Sequence, residues 1–296
     1  VIGFVVVAAA PWTLSVMVRL WCRRVDRDVS PARAVVVLAS LTTVAACSVT
    51  ASLVAVAAVL LSSSTWPATV IGAAVILWSA WRAVLVVRHL RRVVASARRT
   101  ARFGRVAARS DGVVVVETSE PDAFAVPSGG GAVVVTTGLL DALSDAEVRT
   151  VLDHERAHLR CRHALWTQAV EVSALLDPVL CPSVARVRHA VERHADECAA
   201  EASDRVTVMT ALARAALLRG GVDRETVYYT VPGAGGDVVA RALALSAPAP
   251  RPRNAPVIAA VAVVVVVMAM VIGILADVTQ DVVAPESGET ATSVLH

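Results

Sequence analysis

The sequence predicts an α-helical membrane protein in which four transmembrane helices carry one inserted α+β domain. Three observations predict it. Apolar residues make up 56% of the 296-residue chain and charged residues only 18%, with a mean hydropathy of +0.64. A soluble domain runs nearer 45–50% apolar and about 25% charged. Four apolar segments approach or exceed the roughly 20 residues that a bilayer-spanning helix needs. The Arg residues are divided unequally around those segments, as the orientation of a membrane protein requires.

The same composition excludes disordered and collagen-like chains. Five Cys, odd in number and without a CxxC, exclude a disulfide framework. The net charge of +3 does not point to nucleic acid, and no direct nucleic-acid contact is expected. All 28 basic residues are Arg, and the hydrophobic content is Val, Ala and Leu rather than aromatic.

The first segment, residues 1–18, has no basic residues before it and no small-residue cleavage site, so it reads as a span rather than a signal peptide. The second is residues 34–61. The third is residues 66–87, charge-free to Trp81 and extended if Arg82 snorkels to the surface. The fourth is residues 255–276. Arg19, Arg23, Arg24, Arg27 and Arg33 follow the first span, and only Ser62-Ser-Ser-Thr65 separates the second from the third. Arg82, Arg88, Arg91, Arg92, Arg98, Arg99, Arg102 and Arg105 attend the end of the third, and Arg251 and Arg253 precede the fourth. The tail 277–296 has no Arg. One topology satisfies these positions: both termini outside, and residues 88–254 a cytoplasmic domain of a bacterial inner-membrane protein. The Arg-rich 88–105 run is read as contacting anionic lipid.

Within residues 88–254, Val113–Val116, Ala123–Val126 and Ala132–Thr137 read as short strands, with Ser128-Gly-Gly-Gly131 as a tight connection. Ser144-Asp-Ala-Glu147 is a capping box that opens a helix reaching about His163. Cys181-Pro182 starts another helix, running to about Ala202. Val206–Leu218 forms a further one, Pro232-Gly-Ala-Gly-Gly236 a loop, and Val238–Leu245 a last helix.

The chemistry is carried by His154-Glu155-Arg156-Ala157-His158. Residues four apart share a helix face, so both imidazoles can reach one Zn2+ while Glu155 projects beside it. Zinc lowers the pKa of a bound water to about 7, and Glu155 is placed to take its proton. A catalytic zinc has three protein ligands and one open position. On the helix after Pro182, Glu192 and Asp196 share a face. Glu192 is the best third ligand, with His194, Glu197, Cys198 and Glu171 as rivals. Asp196 suits a role holding a ligand histidine in its tautomer.

The strings Val133-Val-Val-Thr-Thr-Gly138-Leu-Leu, Leu152-Asp-His-Glu-Arg-Ala-His158-Leu and Glu192-Arg-His-Ala-Asp196 resemble the BlaR/MecR-type integral membrane zinc metallopeptidases. More distantly they are similar to HtpX and the CAAX prenyl proteases, and Asp122-Ala-Phe-Ala125 resembles an element of the HtpX side. The resemblance implies a zincin-like gluzincin fold, with His154, His158 and Glu192 as zinc ligands, Glu155 as general base and Asp196 as the residue orienting a histidine. It also implies a domain between the third and fourth spans, the arrangement that the Arg positions give independently. Asp153 and His194 depart from the family pattern. The penicillin-sensing domain of BlaR-type members would follow the fourth span, so residues 277–296 do not suggest a β-lactam receptor.

The expected activity is membrane zinc endopeptidase, with a protein or peptide as partner and a transcriptional repressor as the substrate favoured. The alternatives are an HtpX-like quality-control protease and a membrane signalling scaffold with a structural zinc. The substrate is expected to lie along an edge strand, either Ala132–Thr137 or Ala123–Val126. His163 and His189 are expected at the surface or at helix ends, and Cys161, Cys181 and Cys198 as packing thiols, since no spacing matches a ligand set. Tyr228, Tyr229 and Arg188 are candidates to stabilise an oxyanion. Oligomeric state is not legible.

Overall fold

A computed structural model describes residues 11–22, 29–107, 112–220 and 234–248, with Ala9 and scattered residues between 255 and 273. About half of the first and of the fourth expected span therefore lies outside the described residues, as do Tyr228 and Tyr229.

Helix α1 is Pro31–Ser62, begun by a proline in its first turn, where the missing N–H costs nothing. Helix α2 is Trp66–Ala107. Both are long and apolar enough to cross a membrane. Their faces differ. α2 buries only Gly72, Gly104 and Ala107, whereas α1 buries about half of its residues against the rest of the chain. α2 also runs unbroken through residue 87, where the third span was expected to end. At 1.5 Å per residue its 42 residues extend about 63 Å, twice the hydrocarbon thickness of roughly 30 Å. Arg82 does not snorkel outward: its guanidinium donates to the Ala174 carbonyl at 3.2 Å and stands over Trp78 and Trp81.

Three strands follow: β1 (Val113–Val116), β2 (Ala123–Val126) and β3 (Ala132–Thr136). The sheet order is β1-β3-β2, with β1 parallel and β2 antiparallel to β3. β3 is thus paired on both sides, and all five of its residues are buried. It cannot accept a substrate strand, which removes Ala132–Thr137 as a docking edge and leaves β2. The turn between β2 and β3 lies against the end of α2. A Cβ on Gly104 would stand 2.4 Å from the Gly129 carbonyl oxygen, and one on Gly129, at φ +71°, 2.4 Å from that of Ala101. Only glycine permits backbones this close.

Short helix α3 (Thr137–Ala142) is capped by Thr136 and leads into α4 (Asp145–Arg160). The expected capping box is present: Ser144 and Glu147 satisfy each other's backbone N–H groups. Arg214 adds an ion pair of 2.7 Å to Glu147. The helix does not continue to His163. It ends at Cys161, and Arg162 turns the chain in the left-handed region at φ 53° into α5 (His163–Leu176), a helix that the sequence reading did not separate. Then come a 3-10 turn (Pro178–Leu180), α6 (Cys181–Ala202), α7 (Arg205–Gly220) and α8 (Ala234–Ser246), whose start lies inside the Gly-rich run expected as a loop.

The core runs on from α1 to the helices of the motif. Ala34, Val35, Leu38 and Ala39 of α1 pack on Val170 of α5 and on Val187, Ala190 and Val191 of α6. The residue after Val191 is Glu192, so an apolar stripe of α1 backs the segment that carries the acidic part of the motif. On the sheet, Ala123 and Val135 face Val151 of α4, while Val114, Val126 and Val134 face Phe103 and Ala107 of α2. Alternation along the strands thus sandwiches the sheet between the His154–His158 helix and the end of α2.

Candidate active site

His154 and His158 sit one turn apart on α4, and their Nε2 atoms are 3.2 Å from each other. Both nitrogens face Glu192 of α6, at 3.5 Å from His154 to Oε2 and 3.7 Å from His158 to Oε1. One ligand atom from each residue lies within 4.8 Å of the others. Two imidazole nitrogens and a carboxylate oxygen converging from two packed helices are a donor set that fits Zn2+ and leaves a coordination position open.

The second nitrogen of each histidine is also engaged. His154 Nδ1 lies 3.0 Å from Asp196 Oδ1, off the line of a well-directed hydrogen bond. His158 Nδ1 lies 3.1 Å from His163 Nδ1. Partners of this kind fix ring orientation and tautomer. Asp196 is only 2% exposed, and its charge is met by Arg241 of α8, whose Nε and NH2 donate to Oδ2 and Oδ1 at 2.7 and 2.6 Å. The same guanidinium reaches Glu192 Oε2 at 3.1 Å. Nothing in the sequence announced Arg241: it lies 45 positions from Asp196 on another helix.

Electrostatics favour positive charge between the two helices. Burial resists the charged form of His154, but its contacts with Asp196 and Glu192 outweigh this and push it up to about 9. Burial pushes His158 the other way, to about 4, against the pull of Glu192. Burial would raise Glu192, yet its contacts with His154 hold it well below the carboxylate range. Burial pushes His163 down to about 3, with His158 and His194 beside it adding to the effect. The carboxylates thus hold a proton on His154, at a position where a divalent cation would satisfy them as well. Glu155 is buried on the same helix, close enough to act on His154 through its charge.

The rivals for the third position face elsewhere. Glu197 holds Arg205 at 2.7 Å, and Glu171 pairs with Arg188 and His89. Arg188, an oxyanion candidate, is thereby committed to a carboxylate. His194 contacts His163 rather than the His154–His158 pair, and Cys198 lies beside Arg160. Asp153 faces outward and pairs with Arg156 at 3.1 Å. His163 is not at the surface: it is 1% exposed.

Residues 86–218 match the family described as peptidase family M48. A stretch of 55 residues is 44% identical to a protein named "Protease HtpX homolog" from Acidiphilium cryptum (strain JF-5). That stretch is 18% of this chain and 19% of the other, so the similarity spans about a fifth of the relative's length. No solved structure matches.

Proposed function

Through residues 86–218 the chain belongs to peptidase family M48, and on that footing we propose that it is a membrane zinc endopeptidase with its active site at His154, His158 and Glu192. The observation that carries this reading is the convergence of those three side chains from α4 and α6, with Glu155 buried next to them. A zinc ion bound there would supply Lewis acidity toward a peptide carbonyl.

The chain's own residues do the rest. Glu155 serves as general base, taking a proton from the attacking water and returning it to the leaving amine. Asp196 orients the His154 ring, and Arg241 holds Asp196 in place while keeping it ionised. β2 is one of the two edge strands of the sheet, β1 being the other, and it is β2 that packs beside α4. A substrate segment extended along β2 would pair its backbone there and run toward the histidines.

The substrate favoured is a cytoplasmic protein such as a transcriptional repressor, cut as a regulatory step. Broader cleavage of membrane proteins is the second reading, and the match to a protein named as an HtpX homologue favours it. Purified protein in detergent should contain zinc and cleave an unstructured polypeptide, with Glu155→Gln as control. Zinc without cleavage in the unaltered chain would instead support a scaffold with a structural metal. Cleavage of a panel of unrelated unfolded membrane proteins would favour the broad reading, and cleavage confined to one protein the regulatory one.

A further inference from the structure

A second group of metal-ligating side chains stands directly behind the first. Cys161, His163 and His194 each offer a ligand atom within 4.8 Å of the others. His163 Nε2 lies 3.0 Å from His194 Nδ1, and Cys161 Sγ lies 3.9 Å from His194 Nε2. They come from two sources, the Cys161-Arg162-His163 turn and helix α6.

The turn is built so that both of its donors face the same way. Arg162 takes up the left-handed conformation, alone among the described non-glycine residues, and its side chain is exposed. Cys161 and His163 on either side of it are drawn in toward α6. That conformation is uncommon outside glycine, asparagine and aspartate, so the surrounding structure must hold it. His194 is presented from the first half-turn after Glu192, on the side of α6 nearer the turn. Cys198 follows one helical turn later, and the Arg160 guanidinium contacts both Cys198 and Cys161.

We propose that Cys161, His163 and His194 form a second metal site, distinct from the His154–His158–Glu192 site, for a thiophilic divalent ion of the zinc class. A thiolate with two imidazoles suits zinc and excludes calcium and magnesium, which take oxygen ligands. Separations up to 4.8 Å must close by roughly 1 Å for metal bonds of about 2.0–2.3 Å. A single turn and the end of one side chain can provide that movement. The fourth position would fall to water or to Cys198, one turn from His194. The two sites share a wall, since His163 touches His158 through one nitrogen and His194 through the other. The inference stands on this cluster and uses the proposed peptidase site only as its neighbour.

Sulfur separates the two sites experimentally. The first has nitrogen and oxygen donors only, so cobalt bound there gives no sulfur-to-metal charge-transfer band in the near ultraviolet. The full chain in detergent, stripped of metal, is titrated with Co2+. The expected result is a charge-transfer band that is complete by two equivalents, one for each site, and by one equivalent in Glu192→Ala; it is lost in Cys161→Ser, or halved where Cys198 also ligates, and weakened at least tenfold in affinity in His194→Ala. No band in the unaltered chain, or a band undiminished in Cys161→Ser, overturns the proposal. Visible cobalt absorption retained in Cys161→Ser and lost when Glu192→Ala is added to that variant reports the first site separately. Failure of the peptidase reading is therefore distinguishable from failure of this one. Circular dichroism of each variant checks that the fold is kept, and cadmium binding to Cys161→Ser and to the unaltered chain repeats the comparison with a second thiophilic ion.

Discussion

Arg241 grips Asp196 by two nitrogens, at 2.7 and 2.6 Å, and Asp196 in turn stands 3.0 Å from the ring nitrogen of His154. The relay runs from α8 through α6 to α4. It makes the last described helix of the domain part of the metal site's support. Arg241→Ala should leave a carboxylate that is 2% exposed without its counter-charge, a change that typically costs on the order of 3 kcal/mol. Zinc affinity should fall about 10- to 100-fold, the usual consequence of removing a residue that orients a ligand. Arg241→Lys should recover part of the stability, since one donor and the charge remain, but not the two-pronged geometry. Thermal unfolding and competition with a zinc chelator check both. Unchanged affinity in Arg241→Ala would remove α8 from the site.

Glu155→Gln should retain zinc and lose at least 100-fold in cleavage rate, because the amide cannot accept the proton from water. The side chain is buried beside His154 and is nearly isosteric, so packing should survive. Metal content and single-turnover cleavage are the measurements. Undiminished turnover would reject the general-base role.

Glu192→Ala should lower zinc occupancy more than Glu197→Ala or Glu201→Ala. Glu192 faces both Nε2 atoms, whereas Glu197 is turned to Arg205. Mass spectrometry of metal content in the three purified variants decides. Loss of zinc in Glu197→Ala alone would mean that α6 is rotated from the register described.

Much of this site was legible because its spacing is local. His154 and His158 share a face by helix period alone, and Glu192 and Asp196 do likewise on the next motif helix. The capping box fixed where α4 begins. What was illegible depends on contacts between distant segments. The break between α4 and α5 has no glycine or proline to mark it: Arg162 occupies the left-handed region with no cue in composition. With that turn unseen, His163 reads as a helix end at the surface rather than a buried neighbour of His158. Cys161 and His194 are 33 positions apart, so no short ligand spacing joins them. The strand order is equally hidden. Three short Val-rich segments do not reveal that β3 lies in the middle, and this is why one of the two expected docking edges was wrong.

Zinc affinity should rise about tenfold per pH unit between pH 6.5 and 9 and flatten above, because metal must displace the proton that His154 holds up to about 9. The same proton contributes to the stability of the metal-free protein. The folded pKa is raised, so that contribution is full below the unfolded value of about 6.5 and is lost as pH climbs through about 9. His158 has the opposite sign. Its folded pKa is lowered to about 4, so the metal-free protein loses stability as pH falls from about 6.5 toward 4. Chelator competition at several pH values, paired with thermal unfolding of the metal-free chain, tests both. An affinity flat from pH 6.5 to 9 would contradict the proton held on His154.

The domain should lie on the cytoplasmic side. α2 is one helix of 42 residues, about 63 Å long, so only about half can lie within the hydrocarbon layer. Its N-terminal part, from Trp66 to Trp81, has no charged residue, and its C-terminal part carries Arg88, Arg91, Arg92, Arg98, Arg99, Arg102 and Arg105. By that division the Arg-rich half, and the sheet docked at Gly104, should lie on the cytoplasmic side. α1 and α2 are joined by a short polar turn at 63–65, so the start of α1, with Arg33 beside it, should return to that same side. Ala34 to Ala39 near the start of α1 touch α5 and α6, the helices next to the candidate metal site. A site held against the cytoplasmic end of α1 would sit near the membrane surface, within reach of both soluble substrates and juxtamembrane segments. Alkaline phosphatase and a cytoplasm-active fluorescent reporter, fused in separate constructs after Gly221 and after His296, measure the arrangement. Fluorescence at Gly221 with phosphatase activity at His296 is expected. Phosphatase activity at Gly221 would put the domain outside and exclude a cytoplasmic substrate.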